Sequence, residues 1–238
     1  KYNGDFSFSY NVDGWNLTTG FDYRDNTFTN EQDIRRNTII NNQDSYNRSD
    51  VNIRNKRRQY SFRAGADYTP DKQNSLGISF GIGFVDVLSS LNTFVTNQQI
   101  NDSRYSSIQN RQDIPVNYTN STLTYQYKFT PDVNDLYLEL SHNFVDMENE
   151  QKTFENSTDQ SFGTIAELVN NTIFNNNSKR NDGRAKLTYK HKLGENTSFE
   201  SGLQSNLAYR NFDLTNRIYD KTSSEYLLDP NLTNQFNL

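Results

Sequence analysis

The sequence predicts an all-β fold: a segment of an up-and-down antiparallel transmembrane β-barrel. Three observations predict it. Apolar or aromatic residues alternate with polar ones at a period close to two in segment after segment. Several segments extend over about 9 to 11 residues, the length that a tilted strand needs to cross a bilayer. Short turns alternate with long polar stretches, an asymmetry typical of outer-membrane barrels.

The composition excludes several classes of protein. Only 32% of the 238 residues are hydrophobic, which is poor material for a large dry core, but 15 Tyr and 16 Phe are too many for a disordered chain. The net charge is -5 and the basic residues are scattered, so we expect no nucleic-acid partner. Since no run of about 18 apolar residues occurs, any membrane crossing must use strands. We expect residues 1–238 to form one partial barrel domain without an internal boundary.

The predicted strands follow one another along the chain. In the first, Phe6, Phe8 and Tyr10 alternate with polar residues, and Trp15 begins a second alternating run. The two cleanest strands are residues 60–68 and 75–84. Four more follow less cleanly, which makes about eight strands arranged as four hairpins. The later strands are residues 123–129, 136–141, 184–193 and 198–212, and the predicted turns are residues 13–14, 69–74, 130–134 and 194–196.

Between the hairpins lie long stretches rich in Asn, Ser, Thr, Asp and Gln. We expect them to be solvated loops on the extracellular side of the barrel. They are residues 26–55, 91–117, 147–181 and 214–238.

The alternation assigns side chains to two faces of the predicted wall. One set is apolar and faces lipid in this prediction, with aromatic residues near the strand ends, where the interfaces lie. The lipid-facing candidates are Phe6, Phe8, Phe62, Ile78, Phe80, Ile82, Tyr127 and Leu138. The other set is polar and suits a hydrated lumen. The lumen-facing candidates are Arg63, Asp67, Lys128, Glu139, Lys186, Lys190 and Glu200. Small residues at 77, 79, 81 and 83 would leave the lumen thinly filled, which favours a barrel wider than eight strands.

Residues 60–80 carry a resemblance to a known family. Their sequence, YSFRAGADYTPDKQNSLGISF, resembles a hairpin of the TonB-dependent-receptor-like outer-membrane barrel proteins of Bacteroidota. Similar features recur in LTYKHK at 187–192, in ESGLQS at 200–205 and in DPNLTNQF at 229–236. The resemblance covers most of the chain through short, degenerate motifs.

The resemblance implies a location in the outer membrane of a Gram-negative cell and a barrel of up to about 22 strands. It implies uptake or receptor activity with a plug domain, or a structural role in an envelope machine. The chain has about eight predicted strands and no recognisable plug or TonB box, so we expect it to be an incomplete part of a longer polypeptide.

Three functions remain open from the sequence. The first is a TonB-dependent receptor or transporter, and the second is a structural barrel subunit of a secretion or assembly complex. The third is a soluble secreted β-sandwich that binds glycans, because such a sheet also alternates apolar and polar residues. For the two barrel functions, the expected partners are outer-membrane lipid and lipopolysaccharide, with a plug domain, a surface lipoprotein or other envelope-complex subunits as further candidates.

We expect no enzymatic activity, cofactor or metal. Residues 77–81 match G-x-S-x-G, but a nucleophile elbow needs a strand-to-helix turn, and Ser79 is predicted mid-strand. His142 and His191 are the only histidines and lack a neighbouring ligand set. The basic run from Arg54 to Arg58 is predicted to be a solvated loop, with contact to lipopolysaccharide phosphates as the alternative.

Overall fold

The computed structural model describes residues 1–40, 43–99, 102–130, 133–194 and 197–237. Within these residues the chain is all-β, as predicted, and all the strands belong to a single sheet. The strands are β1 (Tyr2–Val12), β2 (Trp15–Ile40), β3 (Gln43–Tyr68), β4 (Asn74–Gln99), β5 (Asp102–Thr130), β6 (Asn134–Met147), β7 (Glu150–Thr158), β8 (Ile165–Lys192), β9 (Ser198–Asp220), β10 (Glu225–Leu228) and β11 (Asn234–Asn237).

The predicted up-and-down antiparallel order is confirmed. The hydrogen-bonded order is β1-β2-β3-β4-β5-β6-β8-β9-β10, and every pairing is antiparallel. The strand β7 continues the position of β6 between β5 and β8, and β11 shares the position beside β9 with β10. The eleven strands therefore occupy nine positions rather than about eight. Within the described residues the sheet does not close on itself.

The predicted long loops are wrong for most of their length. Residues 26–40 continue β2, and their partners at 43–57 belong to β3. Residues 91–99 pair with the start of β5, and β7 pairs with the first half of β8. A backbone ladder needs only hydrogen bonds between main chains. In these segments the contrast in hydropathy between the two faces is weak, so alternation in the sequence does not indicate the strands.

A proline explains the interruption between β6 and β7. Pro115 lies inside β5, opposite Asp86 of β4, and it has no backbone N–H to donate to its other neighbour. The regular ladder stops at Met147 and resumes at Glu150. Between them, the Glu148 N–H donates to the Pro115 carbonyl over 3.1 Å.

Two predicted turns have the expected chemistry. Asp13 and Gly14 both have positive φ, 45° and 81°, as a type I′ hairpin turn requires. In the turn before β4, the Asp71 carboxylate accepts bonds from the backbone N–H groups of Gln73 and Asn74, each over 2.7 Å. The predicted turns at 130–134 and 194–196 include residues 131, 132, 195 and 196, which lie outside the described residues.

The sheet is a single layer without a conventional core. Among the described residues, Val51 and Val85 are the hydrophobic side chains that are buried, whereas 36 large hydrophobic residues are exposed. A soluble β-sandwich packs two sheets about 10 Å apart over a shared core. The described strands form one sheet, so the sandwich alternative has no support in the fold.

Candidate functional site

The strand register divides the side chains between two faces of the sheet. Directly paired residues of antiparallel strands lie on the same face, and neighbours along a strand lie on opposite faces. Phe6 pairs with Phe21, Phe21 with Phe62, and Phe62 with Ile82. We call this side the Phe80 face. It carries all eight candidates for lipid contact, namely Phe6, Phe8, Phe62, Ile78, Phe80, Ile82, Tyr127 and Leu138.

The opposite side, which we call the Arg63 face, carries all seven candidates for the lumen. They are Arg63, Asp67, Lys128, Glu139, Lys186, Lys190 and Glu200. The structure brings several of them into direct pairs, because Glu139 lies opposite Lys186 and Lys190 lies opposite Glu200. That the two faces meet lipid and lumen stays a prediction.

Apolar side chains on the Phe80 face form a continuous band. Near one margin, a row runs through Trp15, Tyr68, Leu76, Tyr125 and Leu138, which pair in series across five strand positions. The other margin begins with Tyr23, Tyr60 and Phe84, which also pair in series. On β2 the margins are eight residues apart, or about 26 Å along the strand at about 3.3 Å per residue.

Aromatic rings line both margins of the band. The Trp15 and Tyr68 rings are stacked, with centroids 4.3 Å apart and planes at 22°. Tyr23 and Tyr60 lie with centroids 5.0 Å apart, and Tyr60 and Phe84 6.5 Å apart. Rings held side by side in this way make rigid edges for the band.

On the Arg63 face of the same strands, charges are paired. The Arg63 guanidinium lies 3.1 Å from the Asp22 carboxylate, and Arg184 forms an ion pair with Glu139. The Asn16 amide donates to Asp67 over 3.4 Å. These partners come from adjacent strands, so the polar side chains form a connected layer.

Glycines show that the Arg63 face is the more crowded face within the band. A methyl group added at Gly83 would overlap the Tyr118 ring, and one at Gly81 would meet Asn120 at 2.6 Å. On the Phe80 face, by contrast, a methyl group at Gly183 of the interior strand β8 would meet only the Leu207 Cβ, at 3.8 Å. Side chains of β5 lie across Gly81 and Gly83, so these glycines leave no gap beside the sheet, whereas the filling of a lumen stays a prediction.

Beyond the aromatic margin at Tyr23, Tyr60 and Phe84, strands β2 to β5 continue into a part that we call the extension. It comprises residues 25–40, 43–58, 86–99 and 102–115 of these strands, together with β7 and the segments of β8 and β9 paired alongside. There the two faces change character. On β4 the Arg63 face carries Val85 at the margin and then Val87, Leu91 and Val95, whereas the Phe80 face becomes mostly polar or charged.

The Phe80 face of the extension carries a cationic row formed by Arg54, Arg111 and Lys152. Arg54 pairs with Ser90, Ser90 with Arg111, and Arg111 with Lys152, so the row crosses four adjacent strands. A cavity of about 570 Å³ lies over it, with both Arg54 and Lys56 in its lining. The predicted loop at Arg54 is wrong, because Arg54 lies within β3, and the sequence alone does not indicate Arg111 or Lys152 as partners of it. No sequence signal could have joined them, because only strand pairing brings these distant residues together.

Acidic groups adjoin the cationic row on one side. Asp113 and Glu150 pair directly, and Glu150 lies 2.7 Å from the Lys152 ammonium. Burial raises the pKa of the Asp113 carboxyl, and the negative charges of Asp86 and Glu150 raise it further, while Lys152 lowers it. The acids therefore neutralise only part of the charge of the row.

Residues that could suggest catalysis or metal binding lie in ordinary strand positions. Ser79 lies within β4, paired with Gly65 and Thr122. His142 pairs with Ser121, and the His191 ring stacks near Tyr189 with centroids 6.4 Å apart. Within the described part of the chain, no group of three or more His, Asp or Glu side chains could hold a metal ion. No helix among the described residues is long and apolar enough to span a membrane.

Comparisons with known proteins do not identify a family. No family model matches the chain, and no curated protein matches it. The ferric preacinetobactin receptor BauA of Acinetobacter baumannii is 8% identical over 98% of this chain and 50% of its own, with a TM-score of 0.18. The siderophore receptor PiuA of the same organism is 7% identical over 90% and 46%, also with a TM-score of 0.18.

A third solved structure is the β domain of the Bordetella autotransporter Brka. It is 6% identical over 87% of this chain and 98% of its own, with a TM-score of 0.13. The chain spans about half the length of the two Acinetobacter receptors. Similarities this low carry no argument about function, which must come from the sheet itself.

Proposed function

We propose that the chain forms part of the wall of an outer-membrane β-barrel, with the Phe80 face against lipid and the Arg63 face towards the lumen. The single observation that carries this proposal is the band, in which one face is apolar across adjacent strands and edged by aromatic rows. Outer-membrane barrels have an outward apolar belt about 25 Å tall with aromatic girdles at both interfaces. At a strand tilt of about 40°, the 26 Å of the band along β2 would span about 20 Å of membrane thickness, which is on the scale of that belt.

The exposure of the band favours lipid over water. Ile78 is 57% exposed, Phe80 44% and Leu203 77%, and their neighbours on the same face are exposed as well. Soluble monomers rarely expose apolar patches larger than a few hundred Å². Hydrocarbon would cover this surface without a second protein layer.

The margin of the band is displaced across the sheet, which supports a strand tilt. The row near it runs along the pairs from Trp15 to Leu187 and Leu203. Beyond this row, the Phe80 face extends two residues further on β5, β6 and β8, to Tyr127, Leu136 and Tyr189, and on β9 Phe199 lies four residues further, past Ser201. Strands that tilt relative to a membrane plane require such a drift, because the plane cuts successive strands at different residues.

The unpaired edges of the sheet also fit a barrel wall. Among the described residues, β1 pairs only with β2, and residues 198–210 of β9 pair only with β8. In hydrocarbon an unpaired backbone edge costs several kcal/mol for each unsatisfied group. In the proposed barrel these edges pair with each other or with additional strands.

Within the outer-membrane barrels, we propose a TonB-dependent receptor or transporter, a choice supported by the family resemblance of residues 60–80. Its partners would be a plug domain and, outside the barrel, a surface lipoprotein. A structural subunit of a secretion or assembly complex is the alternative, because the wall geometry would serve both.

Cell fractionation tests the barrel. We expect the full-length protein in the detergent-extracted outer membrane, with faster gel migration before boiling than after it. Recovery as a soluble species in detergent-free buffer would contradict the proposal.

Intact mass of the extracted protein would then show the chain length. Solute uptake that depends on TonB would indicate a transporter, whereas co-purification with an envelope complex without such uptake would indicate a structural subunit.

A further inference from the structure

The cationic row has a geometry that suits phosphate groups. Adjacent strands lie about 4.8 Å apart, so the Cα atoms of Arg54 and Arg111 are about 10 Å apart and Lys152 is one strand further. Arg54 and Arg111 are exposed on the same face of the sheet. Arginine guanidinium groups bind phosphate oxygens in bidentate fashion, and lysine adds a point charge. One row can therefore contact two or three phosphate oxygens at once.

The row carries more positive than negative charge, because its three cations face two acids that line the same cavity, Glu150, which lies 2.7 Å from Lys152, and Asp113. Nearer the band, Lys56 has Asp25 at 3.9 Å and Arg58 has Asp86 at 3.7 Å. Among the described residues, neither Arg54 nor Arg111 has an ion-pair partner. Like charges that lie directly opposite each other on neighbouring strands are destabilising. Glu150 offsets the charge of Lys152, whereas Arg111, directly opposite Lys152, and Arg54 are left to favour an external anion.

The location of the row selects the source of the phosphate. Arg54 lies six residues beyond Tyr60 on β3, about 20 Å along the strand, and on the same face as the band. If the band faces lipid, that face continues upwards along the polar part of the outer leaflet. The cavity over the row has a volume of about 570 Å³, which is enough for a phosphorylated sugar. In an outer membrane, the molecule that offers phosphorylated sugars at this height is lipopolysaccharide.

We propose that Arg54, Arg111 and Lys152 form a binding site for the phosphate groups of lipopolysaccharide on the lipid-facing side of the barrel wall. The site rests on the proposed function, because only a barrel in the outer membrane would present the Phe80 face to that lipid. It would hold the extension upright beside the membrane surface and fix the barrel's local lipid environment.

The test uses the full-length protein purified in detergent after its outer-membrane location has been established. Native mass spectrometry measures binding of a phosphorylated rough lipopolysaccharide, the same lipid after chemical dephosphorylation, and inorganic phosphate alone. We expect Arg54→Gln/Arg111→Gln/Lys152→Gln to weaken binding of the phosphorylated lipid at least about tenfold, because each cation near an anionic surface contributes to affinity. We expect dephosphorylation to weaken binding to the wild-type protein to a similar extent.

A matched control removes the same charge elsewhere in the extension. Arg35→Gln/Arg48→Gln/Arg104→Gln lies nearer the tips of the strands, where these side chains already pair with Asp33 or Asp102. We expect this variant to bind within about twofold of the wild type.

Three results would overturn the site while leaving the barrel intact. They are equal binding by the wild type and the Arg54/Arg111/Lys152 variant, equal binding of both lipid forms, and inorganic phosphate binding as tightly as the lipid. Absence from the outer membrane would instead contradict the proposed function first.

Discussion

Strand β4 passes through two regions whose faces have opposite character. From Leu76 to Phe84 the Phe80 face is apolar, and the Arg63 face consists of Ser and Gly. From Val85 onwards the Arg63 face carries Val85, Val87, Leu91 and Val95, with Ser89 and Thr93 between them. The Phe80 face there carries Asp86, Ser90 and Asn92, with Leu88 and Phe94 as exceptions. The strand does not break where this change occurs, so one continuous hydrogen-bonded ladder runs through both regions.

The change of face shows what each region needs from its side chains. In the band, apolar residues lie on the face that we assign to lipid, and in the extension they lie on the opposite face. Val51 and Val85, the two buried hydrophobic residues in the part of the chain that the structure describes, are both on the Arg63 face, at or beyond the aromatic margin. The extension therefore has the pattern of a water-soluble sheet that shelters its inner face, whereas the band has the reverse pattern of a membrane wall.

A charge placed on the Phe80 face should separate the two regions most strongly. Phe80 lies midway between the band margins at Leu76 and Phe84, and we expect Phe80→Arg to cost about 2–4 kcal/mol of unfolding free energy in a bilayer. Asn92→Arg, on the same strand and face but in the extension, should change it by less than about 0.5 kcal/mol. Denaturant unfolding of the full-length protein in lipid vesicles measures both. Equal losses would show that the band does not meet hydrocarbon.

A polar group on the Arg63 face tests whether that face is the sheltered one in the extension. Val51 is buried there, and we expect Val51→Asn to destabilise the folded protein by about 1–3 kcal/mol. The cost arises because the buried amide would lose its hydrogen bonds to water and gain no hydrogen-bond partner in the protein. Asn52→Val, one residue away and exposed on the other face, is the control and should lie within about 0.5 kcal/mol of wild type. If the control had the larger effect, the assignment of the sheltered face in the extension would be reversed.

How far the sequence predicts this fold depends on hydropathy contrast between the two faces. The strands of the band were predictable because Leu76, Ile78, Phe80 and their neighbours alternate with small polar residues. The Asp13-Gly14 turn was predictable from its chemistry, which tolerates positive φ. Both signals are local.

The extension was not predictable because its information is not local. Residues 26–40 mix charged and amide side chains on both faces, and their strand conformation follows from the ladder with β3 rather than from any periodicity. The cationic row was not predictable for the same reason. Arg54, Arg111 and Lys152 are far apart in the sequence, and only the pairing register of β3, β4, β5 and β7 brings them together. Candidates within the band were placed correctly relative to one another because alternation alone fixes the face.

A smaller loss of stability is expected from crowding on the Arg63 face of the band, which we assign to the inner side. A methyl group at Gly83 would overlap the Tyr118 ring, so we expect Gly83→Ala to cost about 1–2 kcal/mol. Tyr118→Ala in the same chain should recover most of that loss, and a double-mutant cycle measures the coupling. Gly4→Ala, on the open Phe80 face, is the control and should be neutral or slightly stabilising. Additive losses at Gly83 and Tyr118 would contradict the contact.

The smallest expected effect is a change in the pKa of Asp159, in the water-exposed turn between β7 and β8 of the extension. The Ser161 hydroxyl donates to the Asp159 carboxylate over 2.7 Å, and the Ser161 and Gly163 N–H groups donate over 3.1 and 3.2 Å. Hydrogen bonds from the side chains of Ser161 and Thr164 are the main cause that lowers the pKa of Asp159 to about 2. Because the folded pKa lies below the ordinary value of about 3.9, the stabilisation of the turn is present above that pH and is lost as pH falls through about 2.

Carboxyl NMR titration in detergent micelles measures this difference. We expect Ser161→Ala to return the pKa of Asp159 towards its ordinary value, because the carboxylate loses its strongest hydrogen bond. The side-chain methyl signals of Ile78 and Ile82 should shift less over the same pH range, since the carboxylates of the band, such as Asp22 and Asp67, lie on the opposite face. A wild-type pKa near 3.9, or one unchanged by Ser161→Ala, would show that the turn is not closed by this carboxylate.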